Sequence, residues 1–290
     1  MDIFHLPDDI FPGRSIRHEP VIFHSYTAPA GSFKGRSILH KNAISLVLSG
    51  EKTMQFAERS VSVNPSEFHF LSSGNCLVTM NLLPRMIFKS FLIFFDSHVL
   101  SGFYHKYETR IAEIKRTHKI TPEPYLAFKK DEFVVNFIAS LGLLSGSSAV
   151  ISEDMKRLKL EELLLHLLES DPARLLAFQP MKPRETGDAD IRNVVERNIG
   201  NAVSLDELAF LCNMSLSTFK RRFEKIYSTS PNKWFLQQRM ELAKDLLRHH
   251  GEKPGEVFYK VGYQNHSSFS QSFKQVVGVT PKEFQQQTEL

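Results

Sequence analysis

Ser217-Thr218-Phe219-Lys220-Arg221-Arg222-Phe223 and Ser267-Ser268-Phe269-Ser270-Gln271-Ser272-Phe273 are two copies of one pattern, Ser-x-Phe-x-x-x-Phe, set 50 residues apart. The same offset relates Pro231 to Pro281 and Trp234 to Phe284, so one supersecondary unit is used twice. In each copy a Pro preceded by Ser or Thr stands eight residues after the second Phe, which marks a helix that stops before a new one starts.

Upstream of the first copy, Ser204 precedes Asp206 and Glu207, an N-cap followed by acids in the first helical turn, and Leu208, Ala209, Leu211 and Cys212 form an apolar face. Asn213 then offers a residue that tolerates positive φ before the Phe-bearing helix begins, which is the layout of a helix-turn-helix. In the second copy Val257, Phe258, Val261 and Gly262 stand in place of Leu208, Ala209, Cys212 and Asn213 at an offset of 49, so the second turn is one residue longer. Gly and Asn are the two residues best suited to a left-handed turn.

A helical wheel divides each Phe-bearing helix into two faces. Leu216, Phe219, Phe223 and Ile226 point inward in the first, leaving Ser217, Thr218, Arg221 and Lys225 outward with Lys220 and Arg222 at the flanks. In the second, Phe269, Phe273 and Val276 are expected inward, leaving His266, Ser267, Ser270, Gln271 and Lys274 outward or flanking. Arg and Lys can donate to guanine edges or phosphates, Ser and Thr hydroxyls to either, and Gln can read adenine with two bonds. The first helix is thus expected to supply more of the electrostatic attraction, and the second mainly contacts that discriminate. A basic helical face alone is usually solvated surface; two such units in tandem point to double-stranded DNA as the partner.

These residues resemble the DNA-binding domain of the AraC/XylS family of bacterial transcription regulators. Val261-Gly262-Tyr263, Ser267-Ser268-Phe269-Ser270, Phe273-Lys274, Gly278-Val279-Thr280-Pro281 and Phe284 carry the likeness, which spans roughly residues 186–287. By position, the resemblance implies base-reading roles for Ser217, Lys220, Arg221, His266, Ser267 and Gln271. Ser228, Phe258, Pro254 and Gln285 depart from the family pattern, where Gly, Ala, an aliphatic residue and Arg are usual. Between the copies, Pro231 fits a helix start, and Trp234, Phe235, Arg239, Ala243, Leu246 and Leu247 run as one amphipathic connector of roughly 16–18 residues, about 25 Å long. That length suits two recognition helices in successive major grooves about one turn apart on an asymmetric site.

A chain of 290 residues is too long for this region alone, so a second domain is expected before it. Runs of strand character occur at Ile44–Leu48, Lys52–Phe56, Arg59–Val63, Glu67–Leu71, Leu77–Asn81 and Phe88–Phe95, separated by Ser49-Gly50-Glu51, Asn64-Pro65-Ser66 and Ser73-Gly74-Asn75. They predict a small antiparallel barrel or sandwich, and their order resembles the cupin-like sensor domain of AraC-type regulators. Helices are expected near Ser97–Thr117, Pro122–Leu144 and Ser152–Glu169. The expected fold is therefore α+β in two domains. A cupin-like β-barrel with helices forms a sensor and dimerisation domain over residues 1–178, its strands at about 20–96 and helices at about 97–170. A linker follows over 179–187, and an all-α tandem helix-turn-helix domain over 188–290.

The third helix has an apolar face wider than one neighbour needs, built by Leu160, Leu163, Leu164 and Leu167 with Leu158 and Leu168. It fits either a dimer seam or packing on the domain's own second helix through Phe133, Phe137 and Leu141. The family resemblance favours a homodimer.

The remaining composition excludes more than it names. A metal-dependent cupin enzyme needs His-x-His, which occurs nowhere in the chain, so neither metal nor cofactor is expected. Cys76 and Cys212 fit no disulfide or metal pattern, as in a reducing cytoplasm. The apolar run Phe91–Phe95 is too short to span a bilayer, and the acidic start with Asp2, Asp8 and Asp9 is unlike a signal peptide. With a net charge of only +4, any attraction to nucleic acid must come from local placement of cations. The function expected is a sequence-specific transcription regulator, an activator by family analogy. Its first domain answers to a small-molecule effector or a regulatory protein, with RNA polymerase as a further partner. An architectural DNA-binding protein, or less readily a cupin-type enzyme, is the alternative.

Overall fold

The computed structural model describes residues 3–12, 16, 18–28, 31–57, 59–82, 87–146, 150–180, 186–249 and 251–288. The chain forms two compact units, one comprising Met1–Phe56 and Ser60–Pro183, the other essentially Arg184–Leu290. Most of the expected linker, residues 181–185, lies outside the described residues.

The first unit is built on strands β1 (Ile3–Leu6), β2 (Val21–Ala28), β3 (Gly31–Leu39), β4 (Asn42–Ser49), β5 (Lys52–Gln55), β6 (Ser60–Val63), β7 (Glu67–Leu71), β8 (Gly74–Leu82), β9 (Phe88–Phe95) and β10 (Tyr125–Lys129). Helices α1 (Ser97–Lys106), α2 (Glu108–Thr117), α3 (Glu132–Gly146), α4 (Glu153–Ser170) and α5 (Pro172–Ala177) complete it. The strands form two five-stranded sheets, ordered β1-β3-β8-β5-β6 and β10-β7-β4-β9-β2. The barrel expected from the sequence is therefore corrected to an unclosed pair of sheets. Closure depends on which strands pair at the edges, and here β1, β6, β10 and β2 end their sheets without meeting.

Alternation along the strands explains the layering. In the second sheet Ile44, Leu46, Phe68, Phe70, Phe91, Ile93, Phe95, Leu126 and Phe128 share a core with the helices. Ala43, Val47, Leu71, Leu92, Phe94 and Tyr125 face the other sheet and meet Val63, Cys76, Val78 and Met80. The central strands are thus buried on both sides, and each fully buried Phe contributes about 2–3 kcal/mol by its area.

One expectation for the helices changes. Tyr125–Lys129, expected at the start of a helix, is strand β10, because Leu126 and Phe128 face one core while Tyr125 faces the other, and the segment pairs antiparallel with β7. For the leucines of α4, which fitted either a dimer seam or packing within the domain, the burial agrees with the second role. Leu160, Leu163, Leu164 and Leu167 are all 3 % exposed or less and lie in the same core as Phe137, Leu141, Leu175 and Phe178. The face is wide because it covers α3, α5 and the sheet together. The large apolar side chains that α4 leaves exposed are Met155 and Leu158. No helix among the described residues is long and apolar enough to cross a membrane.

The second unit contains α6 (Asp188–Arg197), α7 (Leu205–Leu211), α8 (Leu216–Tyr227), α9 (Pro231–His249), α10 (Pro254–Lys260), α11 (His266–Val277) and α12 (Pro281–Thr288). Ser204 starts α7 with a reciprocal cap: its hydroxyl accepts from the Glu207 N–H, and the Glu207 carboxylate accepts from the Ser204 N–H. Thr280 and Glu283 repeat the arrangement at α12. Helix α9 is 19 residues long, about 28 Å, and its Met240, Ala243 and Leu247 share a core with Val257, Val261, Phe269 and Phe273.

Candidate nucleic-acid interface

Both helix-turn-helix turns take the conformation that their residues allow. Asn213 has φ +53° and Gly262 φ +83°, and the turns run over residues 212–215 and 261–265, the second longer by one residue. Ser215 and Asn265 then cap α8 and α11, accepting from the N–H groups of Thr218 and Ser268. Helix α8 ends at Ser228, which adopts φ +54°, the left-handed region that the family fills with Gly; α11 ends at Gly278 with φ +92°. A side chain in that region costs about 1 kcal/mol. Ser228→Gly is therefore expected to stabilise the second unit by roughly that amount in chemical denaturation, and an unchanged midpoint would remove the strain argument.

The inward faces are Phe219, Phe223, Phe269 and Phe273, all with no exposed surface. Outward on α8 lie Ser217, Lys220, Arg221 and Lys225, exposed, with Thr218 half-buried at the first turn, where its hydroxyl accepts from Ser215 Oγ. Lys220, Arg221 and Lys225 form no ion pair among the described residues, so three cations project from one short helix against the single acid Glu224. Arg222 is used differently. Its guanidinium donates to Asp188 Oδ1 (2.6 Å) and to the Thr186 carbonyl (2.6 Å), tying the start of α6 to the recognition helix and holding the Asp188 carboxyl below its ordinary range.

On α11, His266, Ser267, Gln271 and Lys274 are exposed, and Ser270 is half-buried with its Oγ 3.5 Å from His266 Nδ1. The His266 ring rests edge-on to Phe258 and Phe269. Val276, expected inward, is 41 % exposed, and Val277 packs against the core in its stead. The wheel drifts by one position there because the helix is about to end at Gly278. All ten residues singled out from the sequence therefore lie on the two recognition helices, with the cations gathered on α8 and mainly neutral donors and acceptors on α11. The positions that depart from the family pattern are absorbed locally. Pro254 opens α10, Phe258 joins the second core, and Gln285 donates to the Glu252 carbonyl.

A knot that sequence reading missed holds the two helix pairs together. Arg239 on α9 donates from Nε to the Ile199 carbonyl and from Nη2 to the Asn201 carbonyl, both at 2.9 Å, capturing the turn after α6. Gly200 in that turn approaches α10 so closely that a β-carbon would stand 2.6 Å from the Lys260 carbonyl oxygen. A β-carbon on Gly262 would stand 3.0 Å from the Asn201 carbonyl oxygen and 3.2 Å from the Arg239 guanidinium. The sequence signal was an Arg on the inward face of the connector, four residues after Phe235 and four before Ala243.

Comparisons with known proteins find matches to both units. A family model described as the ExsA N-terminal regulatory domain matches residues 42–178, and one described as a helix-turn-helix domain matches residues 208–287. The chain is 24 % identical over 243 residues to the virulence regulon transcriptional activator VirF of Yersinia enterocolitica, covering 84 % of this chain and 88 % of that one. It is 24 % identical over 259 residues to the HTH-type transcriptional regulator ExsA of Pseudomonas aeruginosa, covering 85 % and 86 %. Among solved structures, ToxT from Vibrio cholerae aligns with a TM-score of 0.38 and 13 % identity over 92 % of this chain and 98 % of that one. With an ExsA-type regulatory domain followed by a tandem helix-turn-helix, the chain belongs to the AraC/XylS family of transcription regulators.

Proposed function

We propose that the chain is a sequence-specific transcription activator that places α8 and α11 in successive major grooves of one DNA face, with its first unit setting its activity. The observation that carries this reading is the pair of capped recognition helices whose outward cations, Lys220, Arg221, Lys225 and Lys274, are exposed and form no ion pair among the described residues. In this reading Arg221 and Ser217 read bases from α8, Lys220 and Lys225 meet phosphates or base edges, and Gln271 with His266, Ser267, Ser270 and Lys274 discriminates from α11. In this reading the protein acts in the cytoplasm as a homodimer without enzymatic activity, engages RNA polymerase, and answers through its first unit to a small effector or to a partner protein.

The test is selection from a random duplex library by the full chain and by residues 184–290, at two salt concentrations. An asymmetric site of about two helical turns is expected. Arg221→Ala should then lose about 1–3 kcal/mol on that site and relax preference at one position. Lys225→Ala should weaken all sequences alike and lower the salt slope by about one. Selection of no sequence by either protein would end the reading.

A further inference from the structure

Arg222 differs from the other cations of α8 in where its guanidinium goes. Nη1 donates to the Thr186 carbonyl (2.6 Å), and Nη2 (2.6 Å) and Nε (3.2 Å) both donate to Asp188 Oδ1. Thr186 also reaches the other helix of the pair, because its hydroxyl donates to the carbonyl of Cys212, where α7 ends and the turn begins (2.8 Å). The last residues before α6 are thereby fastened to both helices of the first reading unit. Arg192, one turn into α6, completes the grip by donating to the Ile226 carbonyl near the end of α8 (3.3 Å).

These contacts are of a kind that sets orientation and adds little to stability. The Arg222 and Asp188 side chains are 29 % and 52 % exposed, so water screens their ion pair, whereas the buried Phe219 and Phe223 hold α8 to its core. Apolar packing is non-directional and sets the rotation of α8 about its axis only loosely, while a planar fork bridging two groups fixes it. Hydrogen bonds from Ser217, Lys220 or Arg221 to base edges tolerate errors of only about 0.5 Å and 10–20°. Asp188 has a second property. It is an acid within the field of Lys225 and Arg192 as well as Arg222, so by charge alone it opposes DNA.

We propose that Arg222 is a positioning residue for DNA reading, and that through Thr186 and Asp188 the end of the linker sets the angle at which α8 presents Ser217, Lys220 and Arg221 to the groove. Displacing the linker end then turns the first recognition helix and leaves α11 as it is, which gives the first unit a route to one half of the operator. This assignment rests on the reading of the chain as a DNA-binding regulator.

The test compares the full-length chain with Asp188→Ala, Arg222→Ala, Arg222→Lys and the double alanine variant on the DNA site that the parent selects. Each single alanine variant should bind about fivefold more weakly and lose preference in the half-site read by α8, with the half read by α11 unchanged. The double variant should be no weaker than either single one, since both break one contact, and Arg222→Lys should recover little. Removing an acid should by charge alone tighten binding, so an Asp188→Ala variant that binds all sequences more tightly would make Arg222 a phosphate contact and overturn the proposal. Losses that add, or that fall on both halves alike, would sink it too. Without DNA, the chain's single tryptophan reports on the same contact, since Trp234 packs on Tyr227 (4.7 Å) and Phe223 (5.7 Å) of α8. Its emission should shift equally in the two single alanine variants at unchanged circular dichroism, and parental emission in both would show that the contact positions nothing. If Arg222→Ala does not fold, Asp188→Ala alone decides. A parent that selects no DNA would end the regulator reading, and the tryptophan shift would still judge this one.

Discussion

Replacing Arg239 by alanine is expected to destabilise the second unit by about 2–3 kcal/mol, a fall in its melting temperature of roughly 10 °C or more. The variant strips two carbonyls, those of Ile199 and Asn201, of a charged donor that reaches both from one planar group. Arg239→Lys should recover little of the loss, since a point charge on a flexible stem cannot span the pair. The effect should reach DNA as well. With the turn after α6 no longer held to the connector, an operator with one extra base pair between its halves should bind nearly as well as the preferred one. A variant with parental stability and undiminished spacing preference would show that the knot holds nothing.

Acid is expected to weaken the first unit through His69. Its ring is 1 % exposed, its Nδ1 has no hydrogen-bond partner, and burial together with the nearby Lys52 and Lys130 ammonium groups lowers its pKa to about 4. The Ser62 backbone opposes the shift, and Glu67 stands 3.8 Å from Nε2, yet desolvation prevails. The unfolded imidazole takes up its proton near pH 6.5 and the folded one only near 4, so the unfolded state binds more protons between these values. Stability is therefore complete above about pH 6.5 and falls as pH drops toward 4, by on the order of 3 kcal/mol in total. His69→Phe removes the titration. Urea midpoints measured from pH 7 to 4 should flatten in that variant, and a slope equal to the parent's would assign the acid sensitivity elsewhere.

What could be read in the chain depended on how local the cause was. The repeat, the capping of α7 by Ser204 and Glu207, the positive φ at Asn213 and Gly262, and the extra residue in the second turn all follow from neighbours in sequence. So do the outward positions of Arg221 and Gln271, which a wheel places without knowledge of the partner. Tyr125–Lys129 shows the opposite case. Five residues following Pro124 have no helical or strand preference strong enough to decide, and the ladder to β7, more than fifty residues away, decides for them. The leucines of α4 revealed how much apolar surface they cover but not what covers them, since α5 and the sheet arrive from elsewhere in the chain. Edge pairing, which separates two sheets from a closed barrel, is equally non-local. Arg239 and the two glycines were visible as letters, but their meeting required the fold.

The glycine knot also bears on how such a protein can change its DNA preference over time. Gly200 leaves no room for a β-carbon, Gly262 combines a tight fit with a left-handed φ of +83°, and Arg239 engages two carbonyls at once. Any single substitution at these positions therefore loses stability before it yields a new distance between the reading heads. Ser217, Arg221 and Gln271 face solvent, and exchanging them leaves the core untouched. New operators should then be reached by altered letters within half-sites, while the ruler between the halves is inherited unchanged.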